Sequence, residues 1–133
     1  MVGIRVEDEW PIVCVRFPNG EISDEHFERY LEASRRLIDE RPGAYGLLID
    51  CGLRPHLTAR QRARQAAYLD EHREQMVALC RGQAFVLTSA LNRGFLRAIF
   101  WLSPPQVPYA IFETPSEARA WLRSKLQVDE EVA

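Results

Sequence analysis

Tyr45 to Cys51 reads YGLLIDC, and the run Leu47-Leu48-Ile49 at its centre decides the fold. A strand with one wet face alternates apolar and polar side chains with period two, whereas three consecutive large aliphatics put dry side chains on both faces of a sheet. The stretch therefore predicts a central strand of a parallel sheet covered by helices on both sides. Pro42-Gly43 breaks the chain before it and the loop GLRPHL follows it, so the strand is short and bounded.

Upstream, Ile4 to Asp8 alternates weakly and Trp10 to Phe17 (WPIVCVRF) is rich in β-branched residues, which predicts two consecutive strands before the turn Pro18-Asn19-Gly20. A helix follows from about Ser23, an N-cap with Asp24 and Glu25 in the first turn, to about Glu40. Phe27, Tyr30, Leu31, Ser34, Leu37 and Ile38 recur at steps of three and four and form its inward face.

Downstream, Thr58 with Gln61 makes a capping box, predicting a long helix to about Cys80 that Gly82 ends. Its small residues Ala59, Ala63, Ala66 and Ala67 are expected to lie close against the sheet. Ala84 to Leu87 is the next expected strand, Ser89 to about Leu102 the next helix, stopped by Pro104 and Pro105, and Tyr109 to Phe112 the last strand. Thr114, Pro115 and Glu117 then cap a final helix with Ala118, Trp121, Leu122 and Leu126 facing inward. The order is one hairpin followed by helix-linked strands, and such links make parallel crossovers. This predicts a single α/β domain, a mixed sheet of about five strands covered by four helices.

The 133 residues, 47% apolar and 27% charged, suit one domain over 1–128 with a short acidic tail at 129–133, expected to be frayed. A formal charge of -2 excludes a general cationic field, so no nucleic-acid partner is expected. The apolar runs are too short for stable membrane insertion, and the acidic start MVGIRVEDEWP lacks the pattern of an export signal. Cys14, Cys51 and Cys80 are odd in number and widely spaced, which fits reduced thiols in the cytoplasm better than a disulfide framework.

The element order, the helix start LTARQRAR, the stretch RAIFWLSPPQVPY and the closing FETPSEARAWL together resemble the SpoIIAA-like group of STAS domains. These are relatives of the bacterial anti-anti-sigma factors and also resemble CRAL-TRIO lipid carriers in fold. The resemblance runs from about Val6 to Leu126 and rests on structural signatures. It implies a non-enzymatic protein-interaction module in bacterial signalling or regulation; in the CRAL-TRIO direction it implies a carrier or sensor of a small apolar ligand. In the anti-anti-sigma factors, an Asp-Ser-Ser-Gly-like motif after a central strand carries a phosphorylatable serine. Here the comparable loop runs from Asp50 to Thr58 without Ser-Ser-Gly, and Thr58 is the one candidate phosphoacceptor.

Three further groups of residues invite chemistry. Arg54, Arg60, Arg62 and Arg64 come with no acid between them and form a candidate basic patch for an acidic or phosphate-bearing partner. A solvated helix face is the alternative, since Asp70, Glu71 and Glu74 follow in the same helix. Asp50, Cys51 and His56 sit after a parallel strand, where ligands often bind, but a nucleophilic thiol needs a lowered pKa and a base in reach. No enzyme is expected. His26, His56 and His72 lack metal-ligand spacing and no glycine-rich phosphate loop occurs, so neither a metal nor a cofactor is expected.

The helix Ala90 to Leu102 is apolar nearly all round, with Leu91, Phe95, Ala98 and Leu102 as one stripe and Leu96, Ile99, Phe100 and Trp101 spread over other sides. Most of it is expected to pack into the core. The surplus aromatic surface of Phe100 and Trp101, with Arg93, Arg97, Pro104, Pro105 and Tyr109 around it, is the candidate site for a protein partner, a homodimer or the mouth of an apolar pocket.

Overall fold

The computed structural model describes residues 3–52 and 55–132, with backbone alone at 55, 56 and 128–132. A hairpin opens the chain: β1 (Arg5–Glu9) and β2 (Ile12–Arg16) pair antiparallel across Trp10-Pro11. After the short β3 (Gly20–Glu21), Ser23 caps α1 (Asp24–Glu40), its hydroxyl accepting from the His26 N–H at 3.1 Å. The chain then makes β4 (Tyr45–Asp50), the short β5 (Pro55–His56), α2 (Ala59–Glu71), α3 (Arg73–Leu79) and β6 (Cys80–Val86). It ends with α4 (Ala90–Leu102), β7 (Tyr109–Phe112) and α5 (Pro115–Val132).

The main sheet has the order β1-β2-β4-β6-β7, parallel except for β1, and β3 pairs with β5 in a small second sheet. Each crossover from β2 onward moves one strand further in the same direction. A right-handed connection then places α1, the α2–α3 pair and α4 on one face, leaving the other to α5. The two apolar clusters follow this division. Val13, Val15, Phe27, Leu31, Ile38 and Tyr45 pack on the α1 side, while Cys14, Leu48, Ala84, Ala118 and Leu122 pack under α5.

Several expectations are corrected. Among the described residues there are five helices rather than four, because the long helix breaks at His72. Gln61, Gln65, Tyr68, His72, Met76 and Leu79 keep helical spacing through the break, so nothing in the pattern marks it. The bend brings Leu79 onto the core and lets β6 begin at Cys80, four residues before the expected start. Gly82 ends no helix; it lies inside β6, where a Cβ would stand 2.8 Å from the Trp121 ring, and at Gly46 one would stand 2.9 Å from Leu122. These two glycines let α5 lie close to the sheet.

Ala59, Ala63, Ala66 and Ala67 are exposed rather than laid on the sheet. Helix α2 instead leans on α1 through Gln61, Arg64 and Gln65. Helix α5 continues through Val132, taking in residues expected to form a tail.

Candidate functional site

Helix α4 presents the largest departure from the expected packing. Ser89 caps it, accepting from the Asn92 N–H, and Arg93 donates to the carbonyls of Leu87 (2.8 Å) and Thr88 (3.1 Å), fastening the helix start to the end of β6. Only one edge of the helix meets the sheet. Phe100, expected on the exposed surface, turns inward onto Phe85 and Tyr109, with ring centroids at 5.0 and 4.8 Å, and Leu96 lies one turn before it. The apolar stripe faces solvent instead of the core, with Leu91 69% exposed, Phe95 61% and Leu102 85%; Ile99, at 56%, is exposed beside it, and Trp101, at 86%, is exposed as expected. Both apolar arcs could satisfy a helix pattern, and docking at the outer strand β7 buries the narrower one. Arg97 and Pro104 are exposed beside this face, whereas Pro105 is half-buried.

Between α4 and the α1–α2 pair the sheet is not fully covered. A cavity of about 750 Å³ opens there, floored by Leu47, Ile49 and Phe85, walled by Tyr30, Ser34 and Ile38 of α1 and by Tyr68 and Met76, and closed by Phe100, Pro104, Pro105 and Val107. It exists because α2 is held on α1 instead of settling on the sheet. Gln61, 2% exposed, donates to the Ile22 carbonyl at 2.7 Å and to Asp24 at 3.1 Å. Arg64 grips both oxygens of Glu28 at 2.8 and 3.2 Å, and Tyr30 shares a hydrogen bond with Gln65. A volume this size is within the range of small-molecule sites and well beyond the voids of ordinary cores.

The arginines of the expected basic patch are drawn into these contacts. Arg64 is on Glu28, Arg62 donates to the Leu57 carbonyl at 2.7 Å, and Arg60 stands 3.8 Å from Asp24; Arg54 lies outside the described residues. Thr58 completes the capping box, accepting from the Gln61 N–H at 3.0 Å while its own N–H donates to Gln61 Oε1 at 3.1 Å. Its residue is exposed, but its oxygen already serves the helix start.

Asp50 and Cys51 do not form an activated nucleophile. Burial, with the Asp50 charge adding to it, pushes the Cys51 thiol up to about 12, the reverse of what thiolate chemistry needs. Asp50 accepts from the Gly52 N–H at 3.1 Å and faces Arg16 at 3.6 Å. The His56 side chain lies outside the described residues.

Sequence reasoning missed one polar cluster, on the α5 face. Glu7, Glu9 and Cys14 hold ligand atoms within 4.8 Å of one another. Both carboxylates are already occupied: Glu9 takes the Arg119 guanidinium at 2.8 and 3.1 Å, and Glu7 stands 3.1 Å from Arg16. The Arg119 hydrogen bonds hold the Glu9 carboxyl below its ordinary range, and burial raises the Cys14 thiol to about 11. Period-two alternation in β1 and β2 puts all three side chains on one face, but Arg119 is more than a hundred residues away and no local pattern announces it.

Among the described residues no helix is long and apolar enough to cross a membrane. No protein-family model and no curated protein matches the chain. A solved structure does: an uncharacterized protein of the DUF3478 family with a SpoIIAA-like fold, from Shewanella loihica PV-4, superposes with a TM-score of 0.67 at 16% identity, over 90% of this chain and 92% of that one. The fold is SpoIIAA-like. At that identity the likeness carries architecture alone. In this structure α4 and the cavity lie on the same face of the sheet, opposite α5.

Proposed function

We propose that this protein is a non-catalytic interaction module in bacterial regulation that pairs with a second copy of itself through α4. The observation that carries this is the outward face of Leu91, Phe95, Ile99, Trp101 and Leu102, each more than half exposed on one helix. Contiguous apolar surface of this kind marks association sites, and Trp is among the residues that anchor them. The charge pattern favours a like partner: the exposed stripe itself carries no charged side chain, Arg93 and Arg97 lie on the same helix beside it with Arg93 turned onto backbone carbonyls, and a two-fold pairing brings uncharged stripes together. The raised Cys51 thiol supports the non-catalytic part of the reading. Native mass spectrometry over a concentration series tests it. A dimer that Trp101→Glu converts to a folded monomer is expected; a wild-type chain that stays monomeric at high concentration overturns the pairing.

The cavity favours a second reading, a carrier or sensor of a small ligand with α4 and the proline loop as one wall. It predicts that the freshly purified protein carries a small adduct in the same spectra.

A further inference from the structure

The polar groups around the cavity divide into those that have protein partners and those that do not. The Tyr30 hydroxyl is on Gln65, the Tyr45 hydroxyl donates to Gln75 at 3.0 Å, Arg35 pairs with Asp39 at 2.8 Å, and Arg73 with Asp70 at 2.8 Å. Two of the least exposed lining side chains stand out: Ser34, 6% exposed, has a buried hydroxyl with no hydrogen-bond partner, and Gln83, 7% exposed, makes no side-chain hydrogen bond among the described residues; Arg35 Nη2, though beside Asp39, is a third buried atom without a hydrogen bond. Gln83 stands beside Leu47 on the sheet floor, with its side chain on the α1 face of β6, where Phe85 is the next residue pointing the same way. An amide on the floor of an apolar cavity is costly unless something hydrogen-bonds to it.

We propose that the cavity binds a neutral amphipathic molecule, its apolar body on Leu47, Ile49 and Phe85 and its neutral hydrogen-bonding groups meeting the Gln83 amide and the Ser34 hydroxyl. This rests on the carrier reading above and names its ligand class. A wholly apolar ligand would leave both groups unsatisfied. An ionised one would have to compete with Asp39 and Asp70 for the lining arginines Arg35 and Arg73. Amides and hydroxyls recognise alcohols, amides and carbonyls in such surroundings without the desolvation cost of a charge.

The test uses the fluorescent apolar probe N-phenyl-1-naphthylamine, displaced in turn by 1-decanol, decanoate and decyltrimethylammonium, three molecules with one chain and different heads. The probe is expected to bind wild type and to lose its site in Leu47→Trp, which fills the cavity floor. Decanol is expected to displace it at concentrations about tenfold or more below those of either charged competitor. Relative to the probe, Gln83→Leu should weaken decanol about five- to tenfold, and Ser34→Ala by less. The melting temperature of ligand-free Gln83→Leu should stay level or rise, because an unpaired amide has been replaced by an apolar group, whereas a structural role for Gln83 would lower it. Failure of the probe to bind, or binding that survives Leu47→Trp, overturns the carrier reading itself. Probe binding in the cavity with a charged head preferred, or with decanol unaffected by both variants, leaves that reading standing and overturns the ligand class.

Discussion

The two faces of one sheet are closed in opposite ways. Under α5 a single helix seals the surface: Gly46 and Gly82 remove side chains from its path, and Leu48, Ala84, Ala118 and Leu122 have no exposure. On the other face three crossover units share the sheet, α2 is held on α1, α4 docks at the outer strand, and the middle stays open above Leu47, Ile49 and Phe85. More helices give poorer cover. What closes a sheet face is how near one helix can approach, and here two glycines decide that.

Neighbouring residues of β4 sharpen the contrast most. Leu48 points under α5 and is fully buried, whereas Leu47 points into the cavity and is half-buried. Leu48→Ala is expected to cost about 2–5 kcal/mol in urea unfolding, and Leu47→Ala roughly 1 kcal/mol, since it enlarges a space that already exists. Equal losses would mean that the two faces are equally packed and that the contrast is false.

The thiols give a smaller effect with a definite sign. Burial raises Cys14 to about 11 and Cys80 to about 12 from an ordinary value of 9.0. Because the folded values lie above the unfolded one, their stabilising contribution is fully present below about pH 9 and is lost as pH rises toward 11 to 12. Urea midpoints should therefore fall steadily above pH 9, and native protein at pH 8 should react with a disulfide reagent only slowly at these thiols. Cys14 lies under α5 and Cys80 on the α1 side, so Cys80 labelling appreciably faster would show that the cavity reaches further along β6 than its lining residues indicate.

The smallest change is expected at the edge of the sealed face. Glu9 and Arg119 remain partly exposed, so water screens their pairing, and Glu9→Gln should cost about 1 kcal/mol or less at pH 7. The depressed Glu9 pKa means that this contribution is present above the ordinary carboxylate range and is lost as pH falls through the folded value. A larger cost would make the ion pair part of what holds α5 down, shifting credit away from the two glycines.

Local chemistry alone determined much of this protein. The Ser23 cap, the Thr58–Gln61 box, the β4 run and the inward residues of α1 and α5 were legible because caps and periodicities act over one or two turns. The tertiary structure decided the rest. Gly82 looked like a helix stop because its reason, the Trp121 ring, lies far along the chain. Which apolar arc of α4 is buried, and whether a space remains beside it, depend on where α2 and α4 come to rest on the sheet. A helix pattern records that a face is apolar; the partner that covers that face lies elsewhere in the chain or in another molecule.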